Sequence, residues 1–199
     1  MELYGRRTIY SRYDRIDRTN VVDMLNKANS IFTCNREQVQ YLYNYYRGKT
    51  PILNRIKEIR SEICNKINVN KAYEIVRFKV GYQFGEPLQY ISCSSDEDVS
   101  ANIGKLNDYM RTISGQAINI EVAEWQMICG TAYKMILPNP TGTNADVPFE
   151  IYSLDPREAF VVYSRKIGHK PVAGVYIERD ENNVPVYCVY TNTTYFEVK

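Results

Sequence analysis

The chain has 199 residues, long enough for one large domain or two small ones with a proper hydrophobic core. Its formal charge of +2 is unevenly split, because residues 1–79 carry 16 Lys and Arg against 8 Asp and Glu, whereas residues 80–199 carry 9 against 15. The charged N-terminus lacks the apolar region of a signal peptide, and no apolar run approaches the roughly 18 residues of a membrane span, so neither a secreted nor a membrane protein is predicted.

The five cysteines are far apart in the sequence, so the usual spacings of zinc sites and redox motifs are absent. This pattern favours reduced, structural thiols in a reducing compartment. The cysteines are Cys34, Cys64, Cys93, Cys129 and Cys188.

The N-terminal quarter of the chain predicts an arm followed by two helices. Residues 1–19 alternate Arg, Asp and Tyr without a period, which indicates an extended arm of the kind that orders against a neighbour. Apolar residues at helical spacing then predict a first helix over 20–31. Asn35, with Gln38 three residues later, resembles a capping box and predicts the start of a second helix, which Gly48 ends.

Residues 51–84 do not give one clear pattern. Pro51 opens a turn or a short helix, and the isoleucines that follow keep helical spacing as far as Ile63. Alternation of apolar and polar residues over 76–84 favours a strand, although one side of a helix over 70–84 accommodates most of the same apolar residues. The Gly-Glu-Pro sequence at 85–87 would stop either element.

The middle of the chain predicts a strand and two further helices. The strand covers 88–93 and leads into an acidic turn over 94–98. A helix over 100–114 follows, with apolar residues on one face. Next comes a helix over 116–129, whose apolar residues occupy so much of its circumference that we expect it to be central.

The C-terminal third predicts a sheet. Runs rich in Val, Ile, Tyr and Phe alternate with turns, among them Asp155-Pro156, a hairpin loop over 138–148 and a hairpin turn over 180–183. The predicted strands cover 132–137, 149–154, 159–164, 172–178, 186–191 and 194–198. The predicted fold class is therefore α+β, with N-terminal helices followed by a mainly antiparallel sheet packed on a central helix.

No catalytic or metal-binding constellation can be assembled from the sequence, and no cofactor is predicted. The single histidine, His169, excludes His-pair metal sites and leaves a Ser-His-Asp triad without support. Glycine-rich phosphate loops are absent. Asp155 and Glu158 are spaced to act together, but Arg157 between them indicates structural pairing. The sequence therefore predicts a protein that is not an enzyme.

Five stretches of the chain carry recognisable motifs. They are Tyr45–Arg55 (YYRGKTPILNR), Asn70–Tyr90 with GYQFGEP near its end, Trp125–Tyr133 (WQMICGTAY), Leu154–Tyr163 (LDPREAFVVY) followed by Pro171–Val175 (PVAGV), and Val189–Thr191 (VYT). In this order and at this spacing they resemble the N-terminal half of portal proteins of long-tailed, siphovirus-type bacteriophages and prophages.

The resemblance implies a portal subunit, part of a dodecameric ring at one capsid vertex through which DNA enters and leaves. It implies that residues 20–199 form a wing-like α+β domain behind the 1–19 arm, and that the stem, clip, tunnel loop and crown of longer family members are not present in this chain. It also favours a helix over 70–84, because in portals the segment before the Gly-x-Pro stop is helical and leads into an edge strand.

The partners follow from the same resemblance. They would be further copies of this chain, the major capsid and scaffolding proteins, the terminase large subunit and the head-completion protein. Double-stranded DNA would be contacted non-specifically, and no membrane is implied. The location would be the virion, after assembly in the host bacterial cytoplasm.

Two sets of residues are candidates for function. Candidates for oligomer contacts or structural pairing are Tyr45, Tyr46, Arg47, Arg157 and Glu158; candidates for a basic surface are Arg55, Lys57 and Arg60. The basic stretch 47–79 also supports an alternative function, a soluble nucleic-acid-binding module, although a solvated helical face explains the same charges. A hydrolase using Asp155 and Glu158 is a third hypothesis.

Overall fold

The computed structural model describes residues 5–60, 62–93, 96–139 and 147–199, and the chain divides into two compact units. Unit 1 combines Met1–Tyr43 with Asp155–Lys199, and unit 2 is Asn44–Leu154. In chain order the elements are β1 (Ile9–Ser11), α1 (Val21–Tyr46), a 3₁₀ turn (Pro51–Asn54), α2 (Lys71–Phe84), α3 (Glu97–Thr112), α4 (Gly115–Cys129), β2 (Tyr133–Pro138), β3 (Phe149–Leu154), β4 (Ala159–Ser164), β5 (Pro171–Arg179), β6 (Pro185–Tyr190) and β7 (Tyr195–Val198). The α+β prediction is confirmed.

Unit 1 is built on a five-stranded sheet in the order β1-β4-β5-β6-β7. Neighbours from β4 to β7 are antiparallel, while β1 pairs with β4 in parallel. Side chains in β5 alternate between buried and less buried positions, which is the pattern of a sheet with one covered face. The predictions of strands β4 to β7 are confirmed.

Helix α1 covers that face of the sheet. Met24, Leu25 and Phe32 are buried in one cluster with Phe160 and Val162, and the ring centroids of Phe32 and Phe160 are 4.5 Å apart. In this unit the helix on which the five-stranded sheet packs is therefore α1, and not the helix over 116–129 that the sequence favours as central.

Unit 2 is organised around α4, which corresponds to the predicted helix over 116–129. Helices α2 and α3 and strand β3 all pack against it. Strands β2 and β3 form an antiparallel hairpin, whose connecting residues 140–146 lie outside the described range. The core of the unit joins the end of α1 to α2 and α4 through Tyr46, Val76, Val80 and Ala123.

The break predicted between two N-terminal helices is wrong, because α1 is continuous. No glycine or proline lies between residues 31 and 35 to interrupt it. The Asn35 amide does not cap a helix but holds the N-terminal lead-in, accepting from the Arg7 N–H at 2.9 Å and donating to the Arg7 carbonyl at 2.8 Å. Part of the expected arm is therefore ordered within the chain, ending in the three-residue strand β1.

Within the predicted range 70–84, residues 71–84 form helix α2, as the resemblance implies, and not a strand. Asn70 is the N-cap of α2, where its side-chain oxygen accepts from the Tyr73 N–H at 3.2 Å. The residues before it behave differently. Helix beyond Asn54 is a wrong prediction, because the described residues from 55 to 69 form no regular element.

The strand predicted over 88–93 is also wrong, since none of these residues pairs with a strand. The Asn107 side chain on α3 takes the place of a strand partner, accepting from the Tyr90 N–H and donating to the Tyr90 carbonyl, each at 2.9 Å. The acidic turn predicted next falls partly on residues 94 and 95, which lie outside the described range, and Asp96 caps the start of α3.

Candidate functional site

Arg157 contacts both its own turn and helix α1. It follows the turn at Asp155-Pro156, where the Asp155 carboxylate accepts from the Arg157 backbone N–H at 2.8 Å and so sets the turn. The Arg157 Nε donates to both oxygens of that carboxylate at 2.9 Å, and Nη2 also pairs with it. Both side chains are about a quarter exposed, at 23% and 25%.

The Arg157 guanidinium also reaches α1. It lies 4.3 Å from the centre of the Tyr43 ring, and Nη1 donates to the Gln40 Oε1 at 3.2 Å. A planar guanidinium can make the fork to Asp155 and the stack on Tyr43 at once, which a lysine could not. We call Arg157, Asp155, Tyr43 and Gln40 the Arg157 cluster; all four belong to unit 1.

Glu158 contributes its backbone to the same corner. Its N–H donates to the Asp155 carbonyl at 2.9 Å, and its carbonyl accepts from the Ile177 N–H at 2.8 Å, which fixes the first residues of β4 against β5. Asp155, its supposed partner in a hydrolase, has its carboxylate engaged by Arg157. The geometry gives Asp155 a positioning task in a turn.

The three neighbouring candidates at the end of α1 differ in environment. Tyr46 is buried in the core of unit 2, with its ring 5.4 Å from that of Tyr73, and burial raises the pKa of its hydroxyl. Tyr45 and Arg47 are exposed. Tyr46 therefore packs within the unit, while the two flanking side chains lie at its surface.

Two asparagines that the sequence reasoning missed hold the connection between α1 and α2. The Asn70 amide donates to the Tyr46 carbonyl at 2.8 Å, which satisfies a carbonyl in the last turn of α1. Asn68 donates to the Gly48 carbonyl and accepts from the Thr50 hydroxyl at 2.9 Å. Asparagine is a common N-cap residue, so the role of Asn70 at the start of α2 could have been predicted from the sequence. Nothing in the local sequence indicates the hydrogen bonds that Asn68 makes.

The predicted basic surface lies in the irregular segment 55–69, where Arg55, Lys57 and Arg60 are all exposed. Two lysines of this segment also stabilise it, because Lys57 Nζ donates to the Ile63 carbonyl at 3.0 Å and Lys66 Nζ to the Leu53 carbonyl at 2.6 Å. The segment therefore exposes basic side chains although it has no regular secondary structure. Two of its lysines also stabilise the local backbone through hydrogen bonds to carbonyl groups.

His169 occupies a turn between β4 and β5 at a φ of 41°. Its Nδ1 is 3.1 Å from the Ser164 carbonyl, and its ring lies 5.0 Å from that of Tyr10. Within the described residues no group of three His, Cys, Asp or Glu side chains could hold a metal ion. Nor does any described helix have the length and apolarity to cross a membrane.

Comparison with known proteins adds one finding to this geometry. A family model described as phage portal protein, SPP1 Gp6-like, matches residues 25–199. A search among curated proteins finds no match. The matched range begins in α1 and includes the Arg157 cluster, the basic segment and both asparagines.

Proposed function

This chain belongs to the family of SPP1 Gp6-like phage portal proteins, and from that membership we propose that it forms the ring-shaped DNA channel at one vertex of a phage capsid. The family is structural and non-enzymatic, and membership implies oligomeric assembly as a component of the virion capsid. The match over residues 25–199 is the observation that carries the proposal. The channel would serve genome packaging and ejection.

In this proposal the chain contributes the wing of the portal. Residues 20–199 are the wing-like domain and 1–19 its arm, and a dodecamer is the proposed ring. The proposed partners are the major capsid and scaffolding proteins, the terminase large subunit and the head-completion protein. Assembly would take place in the cytoplasm of the host bacterium.

The chain's own chemistry is consistent with a passive role. The Asp155 carboxylate, which a hydrolase would need, accepts hydrogen bonds from Arg157 at both of its oxygens. DNA must slide through a channel, so sequence-specific contacts would oppose movement, and cations such as Arg55, Lys57 and Arg60 would act on phosphates by charge alone. We propose on these grounds that the chain has no catalytic activity.

The proposal is tested by the assembly state of the purified chain. Native mass spectrometry and negative-stain electron microscopy at low ionic strength should show rings of identical subunits with an open centre. Since the two halves of the chain carry opposite net charge, rings should dissociate as salt rises. A single species of monomer at every concentration and salt level would refute the proposed function for this chain.

The exposed basic segment supports a second candidate, a soluble nucleic-acid-binding module. Such a module would bind short duplexes as a monomer, and its affinity would fall steeply between low and physiological salt. Fluorescence anisotropy with a labelled duplex, measured below the concentration of ring formation, separates the two candidates. Absence of binding by the monomer at low salt removes the second.

A further inference from the structure

Helix α2 has two apolar faces, and only one of them packs within its unit. Val76 and Val80 are buried against α4, at 7% and 4% exposure. Ile75, Phe78 and Tyr82 are 54%, 75% and 84% exposed. At about 100° per residue these three lie within an arc of roughly 60°, centred about 150° from the buried pair.

This exposed arc, which we call the α2 strip, is also basic. Lys71 lies within the arc, one turn before Ile75, and Lys79 lies beside it, about 40° from Ile75. Both lysines are exposed, and Lys71 pairs with Glu74 on the same helix at 2.6 Å. The rings of Phe78 and Tyr82 stack on each other with centroids 6.4 Å apart, so the strip presents one continuous aromatic surface. Single exposed apolar residues are ordinary, but a stacked pair extended by an isoleucine along one helix face is typical of an interaction site.

The segment preceding α2 has the same character. Ile56, Ile59 and Ile67 are each largely exposed in the irregular stretch that also carries Arg55, Lys57 and Arg60. Residues 47–79 contain nine Lys and Arg against three Asp and Glu, a net charge of +6. A surface that is both apolar and acidic would therefore complement this part of unit 2.

Residues 80–154 of unit 2 combine a net negative charge with exposed apolar side chains. Residues 80–154 contain three Lys and Arg against nine Asp and Glu, a net charge of −6. Glu97 and Asp98 are exposed at the start of α3. Leu88 and Ile91 are exposed in the irregular segment that the Tyr90–Asn107 hydrogen bonds attach to that helix. We call these four exposed residues (Leu88, Ile91, Glu97 and Asp98), which lie in the segment before α3 and in its first turn, the acidic face.

We infer that the α2 strip of one subunit docks on the acidic face of a second copy of this chain. Pairing of the strip with itself across a twofold axis would bring two basic surfaces together, which like-charge repulsion disfavours, whereas the acidic face offers the opposite charge. A contact between two different surfaces of the same chain is heterologous, and repetition of such a contact closes into a ring when its rotation permits. The inference rests on the proposed function, and it assigns the surfaces that would make the ring.

The test compares variants at exposed positions, so that the fold is preserved. Phe78→Ala removes the centre of the aromatic surface and should weaken assembly by about tenfold or more, since buried aromatic residues dominate interface energies. Lys79→Glu and Asp98→Lys should each weaken it by roughly three- to tenfold at low salt. A chain with both charge changes restores the attraction and should assemble within about threefold of the unchanged chain.

Ile136→Ala is the matched control, because Ile136 is exposed in the same unit but belongs to β2. Its assembly should equal that of the unchanged chain, and thermal melts should show every variant folded. Sedimentation velocity over a concentration series gives the dissociation constants.

The outcomes separate the inference from the proposed function. Rings that form as well with Phe78→Ala as without it overturn the inference and leave the portal role intact. Two single charge changes that weaken assembly without recovery in the double variant overturn the assignment of the acidic face. An unchanged chain that stays monomeric overturns both the inference and the proposed function.

Discussion

Replacing Arg157 by alanine should destabilise unit 1 by about 2–3 kcal/mol. Removal of one partner from a buried ion pair costs roughly 3–5 kcal/mol, because the remaining charge is left buried. Arg157 and Asp155 are 23% and 25% exposed, which lowers that cost by solvent screening. Loss of the stack on Tyr43 adds about 0.5–1 kcal/mol. Arg157→Lys keeps the charge but loses the fork and the stack, so it should cost about 1 kcal/mol.

Urea unfolding followed by circular dichroism measures this loss, and the melting temperature of the alanine variant should fall by roughly 5–10 °C. Arg165→Ala is the control, since Arg165 is an exposed arginine of the same unit, and it should change stability by less than about 0.5 kcal/mol. An Arg157→Ala variant as stable as this control would refute the structural role of the cluster. A loss that appears only at high protein concentration would show that Arg157 pairs between copies instead.

Three further predictions concern other parts of the chain. Val80→Pro should destabilise α2 by about 3 kcal/mol or more in thermal melts, because it removes a helical hydrogen bond at a buried position; an unchanged melt would argue against the helix. Gly81→Ala should stabilise the same helix by about 0.5–1 kcal/mol, because a Cβ at this position meets open space. Gly115→Ala should destabilise the protein, because its Cβ would lie 2.9 Å from the Met110 carbonyl oxygen. Equal effects of the two substitutions on stability would contradict this packing. Asp180 accepts a hydrogen bond from the Val184 N–H, which lowers the pKa of its carboxyl group. The stabilisation from this carboxylate is therefore complete above the unfolded pKa of about 4 and is lost as the pH falls through the lower folded pKa. In urea titrations Asp180→Asn should be less stable than the unchanged chain at pH 7, and the difference should narrow at pH 3.

The C-terminal strands were predictable because their signals are local. Each run from β4 to β7 is short, rich in branched and aromatic residues, and bounded by a turn whose residues set its geometry. Asp155 and Asp180 both bond to backbone N–H groups a few residues later in the chain, as aspartate does in such turns. Local sequence and final structure therefore agree in this part of the chain.

The elements that sequence reasoning missed depend on distant residues. Asn35 reads as a helix cap until its partner Arg7, 28 positions away, is known. Leu88–Cys93 reads as a strand, but an amide from α3 satisfies Tyr90 in place of a neighbouring strand. Strand β1 has three residues, too few to show a period, and its partner β4 is about 150 residues later.

The ion pair in the candidate site could be predicted from the sequence, but its contacts with helix α1 could not. Pairing of Arg157 with Asp155 follows from their proximity in sequence, but the stack on Tyr43 and the bond to Gln40 require the packing of α1 on the sheet. Tyr46 belongs to the core although its neighbours Tyr45 and Arg47 are exposed, because successive helix positions point in different directions. The α2 strip could not be told from a buried face, since periodicity does not say which apolar side finds a partner.

The discontinuity of unit 1 has a consequence for synthesis on the ribosome. Phe32 and Phe160, which meet in its core, are separated by 128 residues. At a synthesis rate of roughly 5–20 residues per second, about 6–25 s pass between synthesis of Phe32 and synthesis of Phe160. Unit 2 is synthesised in that interval, while the apolar side of α1 still lacks the sheet that covers it. During that time Met24, Leu25 and Phe32 of the nascent chain are exposed to solvent, so chaperones that bind apolar segments can bind there.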